Sequence, residues 1–174
     1  MNPLDDPLVR ALAERQQQHW PDGIPREAVY PFGDIALTDY LRRWAAQQPD
    51  KAAVIFYGQA LSYAELDRLS DRFAGLLARQ GVKAGDRVAV MLGNCPQFHI
   101  VFFGILKLGA VHVPVNPLFK EQEMLYELND SQARALVVLD QLAGLARKVL
   151  PRTEVQTTFF TSFHDLLPAQ PSFP

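Results

Sequence analysis

The chain has almost no cysteine: one thiol, Cys95, in 174 residues. A single thiol cannot close an internal disulfide, and it leaves no Cys/His set at zinc-ligand spacing. Histidine is also scarce, and neither His99 nor His112 has a partner in sequence that would orient it as a base or complete a metal set. Excess charge is missing as well. The formal net charge of -2 gives no electrostatic reason to expect nucleic acid or an anionic membrane surface. Long apolar runs are absent. The longest, Phe98 to Leu108, is interrupted by His99, Gly104 and Lys107. It falls well short of the ~20 residues needed to cross a bilayer and reads as a buried helix. The opening Met1-Asn2-Pro3-Leu4-Asp5-Asp6 is acidic and proline-bearing, unlike a secretion signal. Neither G-x-x-x-x-G-K-[ST] nor G-x-G-x-x-G occurs. The expectation is a cytoplasmic protein with no metal site, no nucleic-acid partner and no transmembrane segment.

What is present suits a globular protein: 48% apolar residues and 21% charged. Prolines gather at the two ends. Pro3, Pro7, Pro21, Pro25 and Pro31 precede Thr38, and Pro151, Pro168, Pro171 and Pro174 lie in the tail. Proline removes amide donors and interrupts regular elements, so residues 1–36 read as an arm. Within it, Asp6 can cap a short helix that has Pro7 at its first position and Leu8, Val9 and Leu12 on one face. Residues 37–174 read as the α/β portion.

There, Thr38 is the expected cap of a helix running to Gln48 and stopped by Pro49. Ala52 to Tyr57 reads as a strand, Gly58-Gln59 as a hairpin turn and Ala60-Leu61 as the return strand. Ser62 and Glu65 have capping-box spacing. The helix they open carries Leu66, Leu69, Phe73, Leu76 and Leu77 on one stripe, and Gly81 is placed as its left-handed cap. Arg87 to Leu92 is a strand. A helix entered at Asn94 or Cys95, with Pro96 in its first turn, is ended by Gly109. Ala110 to Val115 is a short strand and loop in which Pro114 and Pro117 fix the backbone. A helix over Glu121–Asn129, a strand over Ala135–Leu139, a helix marked by Leu142, Leu145, Ala146 and Val149, and a strand over Val155–Thr161 follow. Alternating strands and helices imply a largely parallel sheet covered by helices. The hairpin is expected as an antiparallel addition at one end.

Two runs carry a resemblance: Leu61-Ser62-Tyr63-Ala64-Glu65-Leu66-Asp67, and Lys107-Leu108-Gly109-Ala110-Val111-His112-Val113-Pro114-Val115-Asn116-Pro117. In this order and separation they resemble the first two core motifs of the adenylate-forming superfamily. Asn116-Pro117-Leu118-Phe119 through Leu128-Asn129-Asp130-Ser131 looks more narrowly like a bacterial fatty-acyl-CoA ligase. The resemblance implies an incomplete portion of a larger N-terminal α/β domain. For the whole enzyme it implies carboxylate adenylation and then thioester formation, with ATP, Mg and CoA as cofactors.

The superfamily's Ser/Thr/Gly-rich loop, adenine-contacting aromatic motif, ribose-binding aspartate and C-terminal lysine do not occur here. No catalytic or metal residue is therefore carried over, and no cofactor is expected in this stretch alone. The resemblance gives Ser62, Glu65, Gly109, Pro114 and Pro117 scaffold roles, and makes the Asn116-Pro117 loop the place to look for CoA. The expected partner is the remainder of the parent polypeptide, with homo-oligomers forming through exposed apolar surface or the arm. Peripheral membrane association of the parent is also open. An aryl-CoA ligase stays open as an alternative, and so does a standalone non-catalytic α/β module.

Other residues invite chemistry. Cys95 sits where a helix N-terminus lowers a thiol pKa. Asp140 ends a strand, where α/β proteins place ligand contacts, although capping the next helix is the simpler role. Gly93-Asn94-Cys95 offers amides to a phosphate without the usual glycine density. Thr157 to Ser162 has no glycine and no following lysine, and reads as a strand.

Overall fold

The computed structural model describes residues 6–172, so Pro3, Pro174 and the rest of 1–5 and 173–174 lie outside the described residues. Two compact units divide between Ile35 and Ala36. In the first, Asp6 accepts a hydrogen bond from the Leu8 amide at 2.8 Å and starts α1 (Pro7–Gln18). The helix buries none of its residues, and Leu8 and Leu12 stay exposed. Beyond it, Trp20 Nε1 donates to the Ile24 carbonyl at 2.8 Å.

The second unit opens with α2 (Leu37–Gln47). Its cap is Ala36, with no side-chain bond, and Thr38 lies inside the first turn instead of capping it. A hairpin follows, β1 (Ala52–Phe56) and β2 (Gln59–Ser62). Its turn is Tyr57-Gly58, one residue earlier than the sequence suggests, with both φ angles positive at 48° and 88°. Two-residue hairpin loops favour this geometry because it matches strand twist. The glycine was legible, but a tyrosine in the left-handed region was not. The hairpin strands pair only with each other, and do not extend the parallel sheet as expected. They pack instead on helices, through Val54, Leu61, Leu41 and Leu66.

Next come α3 (Tyr63–Arg79), β3 (Arg87–Met91), α4 (Pro96–Lys107), β4 (Val111–Pro114) and α5 (Glu121–Asp130). The chain continues through β5 (Ala135–Leu139), a 3-10 turn at Asp140–Leu142, α6 (Ala143–Val149) and β6 (Thr157–Thr161). β6 starts two residues after Val155, which packs into the core instead. The four later strands form one parallel sheet in the order β4-β3-β5-β6. Val88, Val90 and Val137 face a core built with Leu77, Val101 and Ile105 of α3 and α4. Ala89, Met91, Leu136 and Val138 face Met124 and Leu128 of α5 and Ala146 and Val149 of α6. Both faces of β3 and β5 are covered, which is why their sequences are apolar without alternation.

Three helices end in the same way. After α3, Gly81 N–H donates to Ala78 and Val82 N–H to Leu77. After α4, Gly109 donates to Leu106 and Ala110 to Ile105; after α5, Gln132 donates to Asn129 and Ala133 to Leu128. Each is a Schellman cap needing a left-handed residue. Gly81 and Gly109 supply it freely, at φ +82° and +76°, whereas Gln132 adopts φ 51°. Arg87 braces this third cap, donating from Nε to the Ser131 carbonyl at 2.9 Å and from Nη2 to Gln132 Oε1 at 3.0 Å.

α3 and α4 lie in close contact at Gly104. A Cβ there would lie 2.8 Å from Phe73 Cδ1 and 2.9 Å from the Ser70 carbonyl. Ser70 is fully buried and returns its hydroxyl to the Leu66 and Asp67 carbonyls. At the end of α4, Lys107 reaches back to α3, its Nζ 2.6 Å from Asp67 Oδ1, 2.8 Å from the Asp67 carbonyl and 2.8 Å from Asp71 Oδ1. After β6 the chain returns across the hairpin. Phe163 meets Phe56 edge-on with ring centres 5.0 Å apart, and the Ser172 amide donates to the Tyr57 carbonyl at 3.0 Å.

Candidate functional site

In a parallel sheet, ligands gather beyond the carboxyl ends of the strands, where successive connections leave in opposite directions. Here β3 connects outward to β4 and β5 connects outward to β6 on the other side. The switch point therefore lies between the turn Leu92–Cys95 and the turn Asp140–Leu142, with the loop after β4 alongside. In the first turn Asn94 is exposed and Cys95 is buried. Burial pushes the Cys95 thiol up from its ordinary value, the opposite of what a nucleophile needs. In the second turn Asp140 Oδ1 accepts from the Gln141 amide at 2.8 Å, but Asp140 is the first residue of the 3-10 turn and the caps of that turn and of α6 are Leu139 and Leu142, so the expected helix cap is not formed by Asp140.

The third loop contains Asn116 and Pro117. Asn116 Oδ1 accepts from the Leu118 amide at 2.9 Å, and the Asn116 carbonyl accepts from Phe119 at 3.0 Å. These bonds form a self-contained turn, which Pro117 suits with its fixed φ. The Lys120 amide then donates to Glu123 Oε2 at 2.8 Å and opens α5.

This set offers few groups to a nucleotide or CoA. No lysine or arginine occurs in Leu92–Cys95 or in Asp140–Leu142, and the loop after β4 carries one, the exposed Lys120. Asn116 and Asp140 are bonded within their own turns, whereas Asn94 is exposed. A bound phosphate would meet one cation at most from these three segments, Lys120. Among the described residues no group of three or more His, Cys, Asp or Glu is placed to hold a metal ion.

The scaffold residues do not converge on one place. Ser62 Oγ accepts from the Glu65 amide at 3.2 Å, and Glu65 Oε2 from the Ser62 amide at 2.9 Å, so this pair caps α3. These bonds hold the Glu65 carboxyl below the usual carboxylate value. Gly109 precedes β4, while Pro114 ends it and Pro117 follows, so glycine and prolines sit at opposite ends of one strand. Gly109 also accepts, through its carbonyl, from the Gly85 amide at 2.8 Å.

His112 is a packing group, while His99 is exposed. His112 lies edge-on to Phe98 and Phe102, with ring centres 5.6 and 5.2 Å away, and its Nε2 is buried without a partner. Burial depresses the pKa of both His99 and His112 below the ordinary 6.5. The native state therefore resists the protons that the unfolded chain binds. Stability is expected to be level above about pH 6.5 and to fall as pH drops below it. Urea midpoints measured between pH 5 and 8 check this, and the slope should shrink in His112→Phe.

Two features were missed in sequence. The Lys107 pair escapes because α3 and α4 lie far apart along the chain, although a lone lysine ending an apolar helix is a usable signal. Gln97 is the other, buried with its Oε1 unpartnered.

Residues 41–172 match the family model described as AMP-binding enzyme. The chain belongs to the AMP-binding enzyme family. This AMP-binding chain is 38% identical over 149 residues to a long-chain-fatty-acid–CoA ligase of Bacillus subtilis, covering 86% of this chain and 26% of that protein. It spans only about a quarter of the length of the curated long-chain ligases it matches. Its fold superposes on the long-chain-fatty-acid-CoA ligase of Archaeoglobus fulgidus with a TM-score of 0.72 and 26% identity, covering 82% of this chain and 31% of that one. An anthranilate CoA ligase, AuaEII, gives 0.69 at 25% identity, covering 79% and 28%. Among the described residues no helix is long and apolar enough to cross a membrane.

Proposed function

We propose that this chain serves as the N-terminal scaffold of an ATP-dependent fatty-acyl-CoA ligase. The observation that carries the reading is the AMP-binding match over residues 41–172 together with 38% identity to a long-chain ligase. In the whole enzyme a carboxylate would attack the α-phosphorus of ATP, releasing pyrophosphate, and the CoA thiol would then displace AMP. Two anions must meet in the first step, so cationic neutralisation is required. Those groups belong to the polypeptide beyond this segment, which is its principal partner. The Asn116-Pro117 loop contributes shape to that enzyme, and the arm of residues 1–36 and exposed apolar surface favour self-association. We place the enzyme in the cytoplasm.

The isolated chain is expected to fold and to show no acid-dependent AMP release with ATP, Mg, CoA and a panel of acids. The product of the full reading frame is expected to release AMP with long-chain fatty acids. A second reading, an aryl-CoA ligase, is favoured by the likeness to the anthranilate CoA ligase. Preference for anthranilate or benzoate over fatty acids in the same assay would establish it. Activity of the isolated chain would overturn the scaffold reading.

Gly109→Val separates scaffold from ligand contact. A β-branched residue at φ +76°, with its Cβ 3.2 Å from that of Ala84, costs roughly 1–3 kcal/mol. The melting temperature of the longer enzyme is expected to fall with ATP affinity unchanged in the folded fraction. Unchanged melting with lost ATP affinity would make the turn a ligand contact.

A further inference from the structure

α3 carries its arginines on one line. Arg68, Arg72 and Arg79 are four and seven residues apart. At 3.6 residues per turn they fall within roughly 40° of one another around the helix axis, with Gly75 in the gap. All three are exposed, and among the described residues none of them enters a salt bridge. Arg68 has Glu65 nearby, but Oε2 of that carboxylate is committed to the Ser62 amide at 2.9 Å.

The line is left unbalanced because of Lys107. The other carboxylates of α3 are Asp67 and Asp71, and the buried Lys107 ammonium takes both from the α4 side, at 2.6 and 2.8 Å. Arg68 and Arg72, one turn apart, are left to repel each other along the helix. A cationic face thus stands on a chain whose net charge is -2. Beside it runs a groove of about 490 Å³ between α2 and α3. Ala45, Ala46 and Ala64 line the groove with small side chains, and Arg42 borders it from α2.

Membranes, nucleic acids and acidic proteins all present repeated negative charge. A helix held on a membrane surface needs an apolar face beside its basic one, and α3 has no exposed large apolar side chain. Nucleic-acid binding draws its strength from many phosphate contacts, and one line of three arginines on a net-negative chain offers few. An acidic helix matches both features. Its carboxylates repeat at the spacing of α3 itself, and its ridge of side chains enters a groove between helices.

We propose that the α2–α3 face docks an acidic helix of a partner protein, whose carboxylates lie on one side and pair with Arg68, Arg72 and Arg79. Arginine suits this role because its planar fork binds a carboxylate through two parallel hydrogen bonds. The pairs stay in contact with solvent, so the association is weak, fast to form and sensitive to salt.

Two helical peptides of equal charge serve as probes. One has its glutamates on a single stripe at four- and seven-residue spacing, and the other has them spread around the helix. Binding is followed by fluorescence anisotropy with the 174-residue chain and with the product of the full reading frame. The single-stripe peptide is expected to bind both proteins, about 10-fold more tightly than the spread peptide, and to weaken about 10-fold between about 50 and 300 mM salt. Arg68→Gln with Arg72→Gln should weaken binding about 10-fold. Arg147→Gln with Lys148→Gln removes the same charge from exposed positions of α6, across the sheet, and should change it less than about twofold. Circular dichroism of both double variants checks that they fold. Equal binding of the two peptides, equal effects of the two double variants, or no binding by the longer product would overturn the proposal. So would tighter binding to phosphatidylserine vesicles or duplex DNA than to the single-stripe peptide.

Discussion

Gly104→Ala is expected to destabilise the protein even though alanine is the better helix former. A methyl group at this position would sit 2.8 Å from a Phe73 ring carbon and 2.9 Å from the Ser70 carbonyl, closer than real contacts allow. Helix propensity returns about 1 kcal/mol on replacing glycine by alanine. Overpacking of a tight core costs typically 1–3 kcal/mol or more, and here one obstacle is backbone, which cannot swing aside. The net loss should be about 1–2 kcal/mol, or roughly 2–8 °C in melting temperature for a chain of this size. Gly104→Val adds two further carbons and should exceed ~3 kcal/mol, largely abolishing soluble protein. Thermal melting of the alanine variant decides the matter, because a raised melting temperature would mean that the helices do not meet closely at Gly104.

Lys107→Met should be comparably damaging. The ammonium group is buried, with a side chain 2% exposed, and it neutralises Asp67, 24% exposed, and Asp71, 54% exposed. Removing one partner of a buried pair costs about 3–5 kcal/mol, chiefly because the other charge is stranded. Asp67 keeps some access to water and Asp71 keeps more, so a loss of about 2–3 kcal/mol is expected. The double variant Lys107→Met, Asp67→Asn should recover a good part of it. Urea denaturation of the two single variants and the double variant gives the coupling directly. Strict additivity would show that the pair contributes nothing beyond packing.

The parallel core could be read from the sequence because its signals are local. β3 and β5 are buried on both faces, so Val88-Ala89-Val90 and Leu136-Val137-Val138 appear as unbroken apolar runs. Ser62 and Glu65 announce a helix start, and Gly81 and Gly109 announce two helix ends. Where the deciding contact is distant, the reading slips. The hairpin joins helices instead of the sheet because Leu61 and Val54 find Leu41 and Leu66, a choice invisible to alternation patterns. Thr38 looks like a cap, yet Ala36 begins the helix. Gln132 occupies a left-handed cap that its residue type does not advertise, with Arg87 from another strand bracing it. The candidate site was legible only as a location. Sequence order places Asn94, Asn116 and Asp140 at strand ends, but the hydrogen bonds that engage Asn116 and Asp140 within their own turns emerge only in three dimensions.

The return of the tail across the hairpin has a consequence for how the protein is made. Tyr57 and Gly58 leave the ribosome long before Ser172, the residue whose amide meets the Tyr57 carbonyl. At 5–20 residues per second, the intervening 114 positions take about 6–23 s to synthesise. For all but the last nine of those positions Phe56 and Tyr57 lack the Phe163 ring that later packs against them. The aromatic tip of the hairpin thus stays uncovered after α2 and α3, its first packing partners, have been made. Slower elongation through residues 140–170 would lengthen this exposure without altering any native interaction.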